Sequence, residues 1–80
     1  MTVYTCKVFD GQLGEWVDCG VFSTPVKAQN AGTNYINEAC DNATQIDFDW
    51  DTNTHTDWYM SQNGRVFTRV ITECELDKVL

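Results

Sequence analysis

From residue 46 to residue 51 the chain alternates without interruption: Ile46, Phe48 and Trp50 fall on one parity, Asp47, Asp49 and Asp51 on the other. Successive side chains of a strand point to opposite faces, so the pattern predicts a strand over residues 44–51 with its apolar side chains in a core and its carboxylates in water. Residues two apart on a strand stand roughly 6.6 to 7 Å from each other, which draws the carboxylates into a straight anionic row. Like charges in line repel, and such a row costs stability unless water, a cation or a basic partner relieves it.

The same reading places the remaining elements around this strand. Residues 2–9 and 15–22 read as two strands joined by Asp10-Gly11-Gln12-Leu13-Gly14, whose glycines suit the left-handed backbone of a tight connection. A register with Cys6 opposite Cys19 and Tyr4 opposite Val21 sets Val8 against Val17 on one apolar face. On the other face it sets Lys7 against Asp18 and Phe9 against Trp16, cross-strand pairs worth about 0.2 to 1 kcal/mol each. Ser23-Thr24-Pro25 is a helix start, with a hydroxyl cap and proline at the first helical position. Ala28, Ala31 or Gly32, Tyr35, Ile36 and Ala39 then recur at helical spacing, so residues 25–40 form one amphipathic helix that Asp41-Asn42 ends. Gly32 inside it costs about 1 kcal/mol relative to alanine, which marks a close approach to another element.

Beyond the acidic strand, residues 56–61 and 65–72 read as strands joined at Asn63-Gly64, a pair that tolerates the positive φ of a type I′ hairpin turn. Trp58, Met60, Phe67 and Ile71 make one plausible apolar face of this hairpin, with Tyr59, Val66 and Val70 competing for it. Residues 73–80 extend the last strand or form a short helical turn, Thr72 and Glu75 having capping-box spacing. The order strand, strand, helix, strand, strand, strand predicts an α+β fold: an antiparallel sheet of about five strands (ββαβββ) with one helix packed on one face. Eighty residues suffice for one domain, residues 1–80, and not for a second lobe.

Composition narrows the function. Apolar residues make up 42% of the chain and ten aromatics are spread along it, as in a folded protein. Twelve acidic against five basic side chains leave a formal charge of −7. That balance argues against direct binding to nucleic acid or an anionic membrane and favours a basic protein surface as partner. The N-terminus shows no charged leader with an apolar run behind it, and no stretch of about eighteen apolar residues occurs, so a cytoplasmic product is expected. Cys6, Cys19, Cys40 and Cys74 are expected there as free thiols.

No motif for catalysis stands out. The cysteines are 13, 21 and 34 positions apart and His55 has no companion at ligand spacing, so neither a metal site nor a cofactor is expected. Asp47, Asp49, Asp51, Asn53 and His55 fall on the odd positions of an EF-hand-like loop. Thr52 stands where that loop needs glycine, and Trp58 where it needs glutamate. A dyad of His55 with Asp51 or Asp57 lacks a nucleophile and an oxyanion cradle, so no enzyme is expected.

What remains is recognition by shape and charge. Asp47, Asp49 and Asp51, with Asp57 across the hairpin, form one candidate partner-binding group; Glu73, Glu75 and Asp77 form a second acidic cluster. The pattern also describes the wet face of an amphipathic strand that discourages edge pairing. Aromatics such as Phe9, Trp16 and Tyr59 offer an alternative, a structural or regulatory interaction module binding through its aromatic face.

In size, charge and architecture, with Asp47-Phe48-Asp49-Trp50-Asp51 at its centre, the chain resembles the small phage-encoded anti-defence proteins, anti-CRISPR and DNA-mimicking anti-restriction proteins among them. The resemblance implies a non-enzymatic inhibitor, a monomer or homodimer in the host cytoplasm. It would bind the basic groove of a host nuclease or nucleoprotein surveillance complex and block target DNA.

Overall fold

The computed structural model describes residues 1–40 and 42–75. Five antiparallel strands form one sheet: β1 (Thr2–Asp10), β2 (Glu15–Phe22), β3 (Thr44–Trp50), β4 (Thr54–Met60) and β5 (Val66–Glu75), with the helix α1 (Pro25–Ala39) between β2 and β3 in the chain. Their order across the sheet is β2-β1-β5-β4-β3, which leaves β2 and β3 as the two edges. The α+β class and the strand and helix order are those the sequence pattern predicts. Residues 73–75 continue β5 as strand; the alternatives for residues 76–80, like Asp41 at the helix end, lie outside the described residues.

Local chemistry accounts for the helix. The Thr24 side chain accepts the Lys27 N–H at 3.2 Å and Pro25 opens the first turn, so the cap is the expected one. Ala28, Gly32 and Ile36, four apart, are its buried residues. A Cβ on Gly32 would stand 2.5 Å from Arg69 Cδ and 3.0 Å from Cys6 Sγ, so the glycine does mark a close approach of helix to sheet.

The helix lies over β1, β2 and β5. Beneath it Cys6 and Ile71 pack with Ala28, and Val8 and Phe67 with Ile36. Cys6 is fully buried, and burial, reinforced by the neighbouring Cys19, pushes its thiol up to about 12, far from the reactive thiolate.

Two details differ from the predicted registers. Lys7 pairs with Asp18, Val8 with Val17 and Phe9 with Trp16 as expected, but the next pair is Cys6 with Gly20, so Cys19 is an extra residue and Tyr4 meets Phe22 instead of Val21. Gly20, at φ +120, supplies the backbone this bulge needs. At Asn63-Gly64 only Gly64 has positive φ, at +86. The turn is closed by Gly64 N–H to Ser61 O and Ser61 N–H to Arg65 O, not as a type I′ pair.

The β4–β5 hairpin resolves the competing apolar faces in a mixed way. Tyr59, Phe67 and Ile71 share the helix side with Asp57 and Arg69, while Trp58, Met60, Val66 and Val70 take the other. Charges thus enter the helix side, and they enter in pairs. Asp10, fully buried, accepts from Arg65 Nη2 at 2.6 Å, Arg65 Nε at 3.3 Å, Gln12 N at 3.0 Å and Tyr35 Oη at 3.1 Å. Burial pushes its carboxyl upward, and these donors, Arg65 first, outweigh that and hold it below the usual carboxylate range.

Two stability measurements test this packing. Gly32→Ala gains about 1 kcal/mol of helix propensity but meets an Arg69 stem that cannot swing away, at an overpacking cost of about 1 to 3 kcal/mol. Its urea midpoint should fall below that of the parent. The Asp10 carboxyl titrates lower in the folded than in the unfolded chain, so its contribution is full above about pH 4 and is lost as pH falls through the folded value. Asp10→Asn should therefore be less stable at neutral pH and show a flatter acid limb in urea titrations across pH.

Candidate functional site

The strand β3 forms where the alternation predicts it, but it is the outermost strand, and all seven of its residues are exposed. Ile46, Phe48 and Trp50 are 51%, 61% and 72% exposed, so they are not core residues. The reason is geometrical. One helix, about 10 Å across, cannot reach the far edge of five strands set about 4.8 Å apart. The prediction that the apolar parity of this strand is buried is corrected; the prediction that its carboxylates stand in water holds.

Pairing with β4 fixes the orientation of the strand. Gln45 faces Tyr59 and Asp47 faces Trp58, so Ile46 is an extra, bulged residue, after which Phe48 meets Asp57, Asp49 meets Thr56 and Trp50 meets His55. Asp51 N–H donates to Thr54 O at 2.8 Å. In an antiparallel ladder, pairs that exchange hydrogen bonds alternate with pairs that do not. Asp47, Asp49 and Asp51 therefore direct their amides to β4, and Phe48 and Trp50 turn theirs to the open edge.

On the face away from the helix, three cross-strand rows run the width of the sheet to β3. Trp16, Phe9, Thr68 and Trp58 lead to Asp47; Asp18, Lys7, Val70 and Thr56 lead to Asp49; Thr5, Thr72 and Thr54 lead to Asp51 at the hairpin. The Phe9 and Trp16 rings meet edge to face at 5.3 Å, and Lys7 Nζ lies over Trp16 at 4.7 Å. The acidic row and most of the aromatic face, separate features in the sequence, are one surface. Tyr59 does not belong to it: its parity puts it under the helix side, where the Arg69 guanidinium lies 5.3 Å from its ring.

Neutralisation does not reach the row. Arg65 is taken by Asp10, Arg69 by Asp57, and Lys7 by Trp16. Among the described residues no ion pair involves Asp47, Asp49 or Asp51. Two of them instead fold back on the backbone: Asp47 accepts the Phe48 N–H and Asp51 the Thr52 N–H, each at 2.8 Å.

Asp57 leaves the candidate group. Its parity places it on the helix side, 1% exposed, ion-paired to Arg69, with His55 Nε2 at 3.1 Å and Gln45 Nε2 at 3.4 Å. Arg69 in turn donates to Gln29 O at 3.1 Å and Thr33 Oγ1 at 2.9 Å, tying β4 and β5 to the helix. The sequence carried a sign of this: Arg69 shares its parity with Phe67 and Ile71, and a charge on a core parity needs a buried partner. His55 is thus held by Asp57, not by Asp51, and Trp50 lies against it with ring centroids 4.9 Å apart.

Glu73 and Glu75 share the parity of Ile71, so they stand on the helix side and do not prolong the row of Asp47 and Asp49. Glu75 accepts from the Met1 amino group at 2.7 Å, whose charge holds its carboxyl below the usual range. Glu73 accepts from Tyr4 Oη at 3.4 Å and lines, with Trp50, Asp51, His55 and Ile71, an open groove of about 190 Å³ beside the start of α1. Asp77 lies outside the described residues. Asp47, Asp49, Asp51, Asn53 and His55 do not converge as loop ligands, and among the described residues no three His, Cys, Asp or Glu side chains are placed to hold a metal ion. No described helix is long and apolar enough to cross a membrane. Comparison with known protein families, with curated proteins and with solved structures finds no match.

The exposed state of β3 has a direct consequence for stability. Phe48→Ser should move the unfolding free energy by less than about 1 kcal/mol, because little apolar area returns to water, whereas Phe67→Ala, which empties a fully buried site, should cost about 3 to 5 kcal/mol. Urea unfolding of the two variants side by side measures the difference.

Proposed function

We propose that the protein is a non-enzymatic inhibitor that lays β3 on a basic nucleic-acid-binding surface of a nuclease or surveillance complex and keeps DNA from it. The observation that carries this reading is the row of Asp47, Asp49 and Asp51, unpaired by any described cation and exposed on a strand edge. Spacing of about 6.6 to 7 Å along the strand is comparable with the spacing of successive phosphates along a strand of nucleic acid. A trough built to grip phosphates presents lysine and arginine at such intervals. Carboxylates held at those intervals form charge-assisted hydrogen bonds there and steer association. The site is smaller than the sequence suggested: Asp57 is internal, and Glu73 and Glu75 stand on the opposite, helix side of the sheet, Glu75 bound to the Met1 amino group. A local plug of one groove fits this extent, and action in the host cytoplasm follows for a phage-encoded inhibitor of that kind.

A second reading uses the same face differently. Phe9 and Trp16 lie on an open sheet face with Trp58, next to Asp47, and aromatic anchors of that sort carry the energy of many interfaces. Salt separates the two readings, because charge steering weakens with ionic strength and aromatic burial does not.

The test is recovery of a partner from bacterial lysate at low and high salt, followed by competition between the protein and duplex DNA for that partner. The parent should displace DNA at one-to-one stoichiometry, and Asp47→Asn/Asp49→Asn/Asp51→Asn should fold normally yet compete about tenfold or more weakly at low salt. Undiminished competition by the triple variant removes the acidic-row reading. Competition indifferent to salt and lost in Trp16→Ser/Trp58→Ser establishes the aromatic one.

A further inference from the structure

The row of carboxylates accounts for one parity of β3 and leaves the other unexplained. Phe48 and Trp50 are more exposed than any ordinary strand position requires, and they are the residues whose amides and carbonyls face the open edge. A strand edge with unpaired main-chain groups is a template for another strand. At one of these groups a side chain already stands in for the missing neighbour: the Asp47 carboxylate accepts the Phe48 N–H at 2.8 Å.

The identity of the missing neighbour follows from charge. In a two-fold antiparallel pairing that sets residues 47–51 against the same stretch of a second copy, residues of one face meet residues of the same face, so aspartate meets aspartate across the seam. The other edge of the sheet offers no counter-charge, since β2 has no lysine or arginine and presents Asp18 on the same face as Asp47 and Asp49. Like charges directly opposite destabilise a strand pair, and neither mode of self-association sets a cation against the row. A strand bearing lysine or arginine on one parity and apolar residues on the other meets neither obstacle.

We propose that β3 takes up an extended segment of its partner by antiparallel strand addition, with basic side chains of that segment set against Asp47, Asp49 and Asp51 and apolar ones against Phe48 and Trp50. Phe48 and Trp50 exchange main-chain hydrogen bonds with the incoming strand. Asp49, between them, occupies the close, non-hydrogen-bonded position where cross-strand Cα atoms lie about 4.5 Å apart. The residue facing Asp49 is therefore the one at which lysine or arginine matters most. The incoming carbonyl replaces the Asp47 carboxylate at the Phe48 N–H and frees that carboxylate for its own cation. Strand addition of this kind takes its affinity from the main chain and its specificity from alternate side chains.

This inference rests on the acidic-row reading, and the experiment separates them. The probes are a short blocked peptide alternating lysine and valine, an isomer with the lysines and valines in separate blocks, and the alternating peptide N-methylated along the edge that would bond to β3. Amide NMR shifts and tryptophan fluorescence of the intact protein report binding. The alternating peptide should shift the amides of Phe48 and Trp50 and bind about tenfold or more tightly than the other two, in keeping with the loss of at least two main-chain hydrogen bonds. Phe48→Pro, which removes one outward amide without touching the β4 ladder, should lose that advantage, and Phe48→Ala should retain most of it. Equal binding of all three peptides, weakened by Asp47→Asn/Asp49→Asn/Asp51→Asn, overturns strand addition and leaves the acidic row as a site. Binding of none of them at low salt, or binding unaffected by the triple variant, overturns both. The N-methylated peptide keeps the test decisive if Phe48→Pro does not fold.

Discussion

A single helix resting on a five-stranded sheet can cover about three strands, because its width with side chains is about 10 to 12 Å and strands repeat every 4.8 Å or so. Here it covers β2, β1 and β5. Everything else about the molecule follows from where that coverage stops. The dry core is small, built on Cys6, Val8, Ala28, Ile36, Phe67 and Ile71. At its margins the residues on the core parity are no longer apolar: Asp10 meets Arg65 at one end, and Asp57 meets Arg69 under the middle of the helix. Both carboxylates are fully buried and both are satisfied, which is the condition for charges to persist there, since removing one partner of such a pair costs about 3 to 5 kcal/mol. Gly32 belongs to the same arrangement, for it is the absence of its side chain that lets the Arg69 stem pass beneath the helix.

Past that margin the sheet continues with neither face covered. The strand β3 is supported by β4 alone, and it carries two unlike chemistries on its two parities, carboxylates toward the face shared with Phe9, Trp16 and Trp58, and aromatics toward the helix side. Exposed aromatics on an edge strand invite association, while a row of carboxylates repels copies of itself. On the proposed reading, the two features held together disfavour pairing with a second copy and favour a basic strand. This is a more specific statement than acidity alone supports, and it depends on the edge position of the strand as much as on its charge. Recognition would then be a matter of pattern, with alternation in the partner matched to alternation here.

Much of this was legible in the chain. Strand positions came from alternation and hairpin chemistry, the helix from its cap, its proline and its four-residue spacing, and the close approach from a glycine inside a helical run. The register of the first hairpin was right from Lys7 to Phe9 and failed at Cys19, because a bulge depends on what the added residue packs against, and Cys19 lies against both halves of the core. Asp57 was misplaced for a related reason: proximity in sequence to Asp51 says nothing about parity across a hairpin, and parity sends it to Arg69.

Local order along the backbone is a matter of near neighbours, so the sequence by itself determined the elements, their order, the antiparallel class and the exposure of Asp47, Asp49 and Asp51. Coverage is a matter of distant ones. Whether an apolar parity is buried depends on which strand lies under the helix, and no alternation pattern encodes the position of a strand within its sheet. Only the tertiary structure put β3 at an edge, turned Phe48 and Trp50 to solvent, and joined the carboxylates of one hairpin to the aromatics of another across a single face.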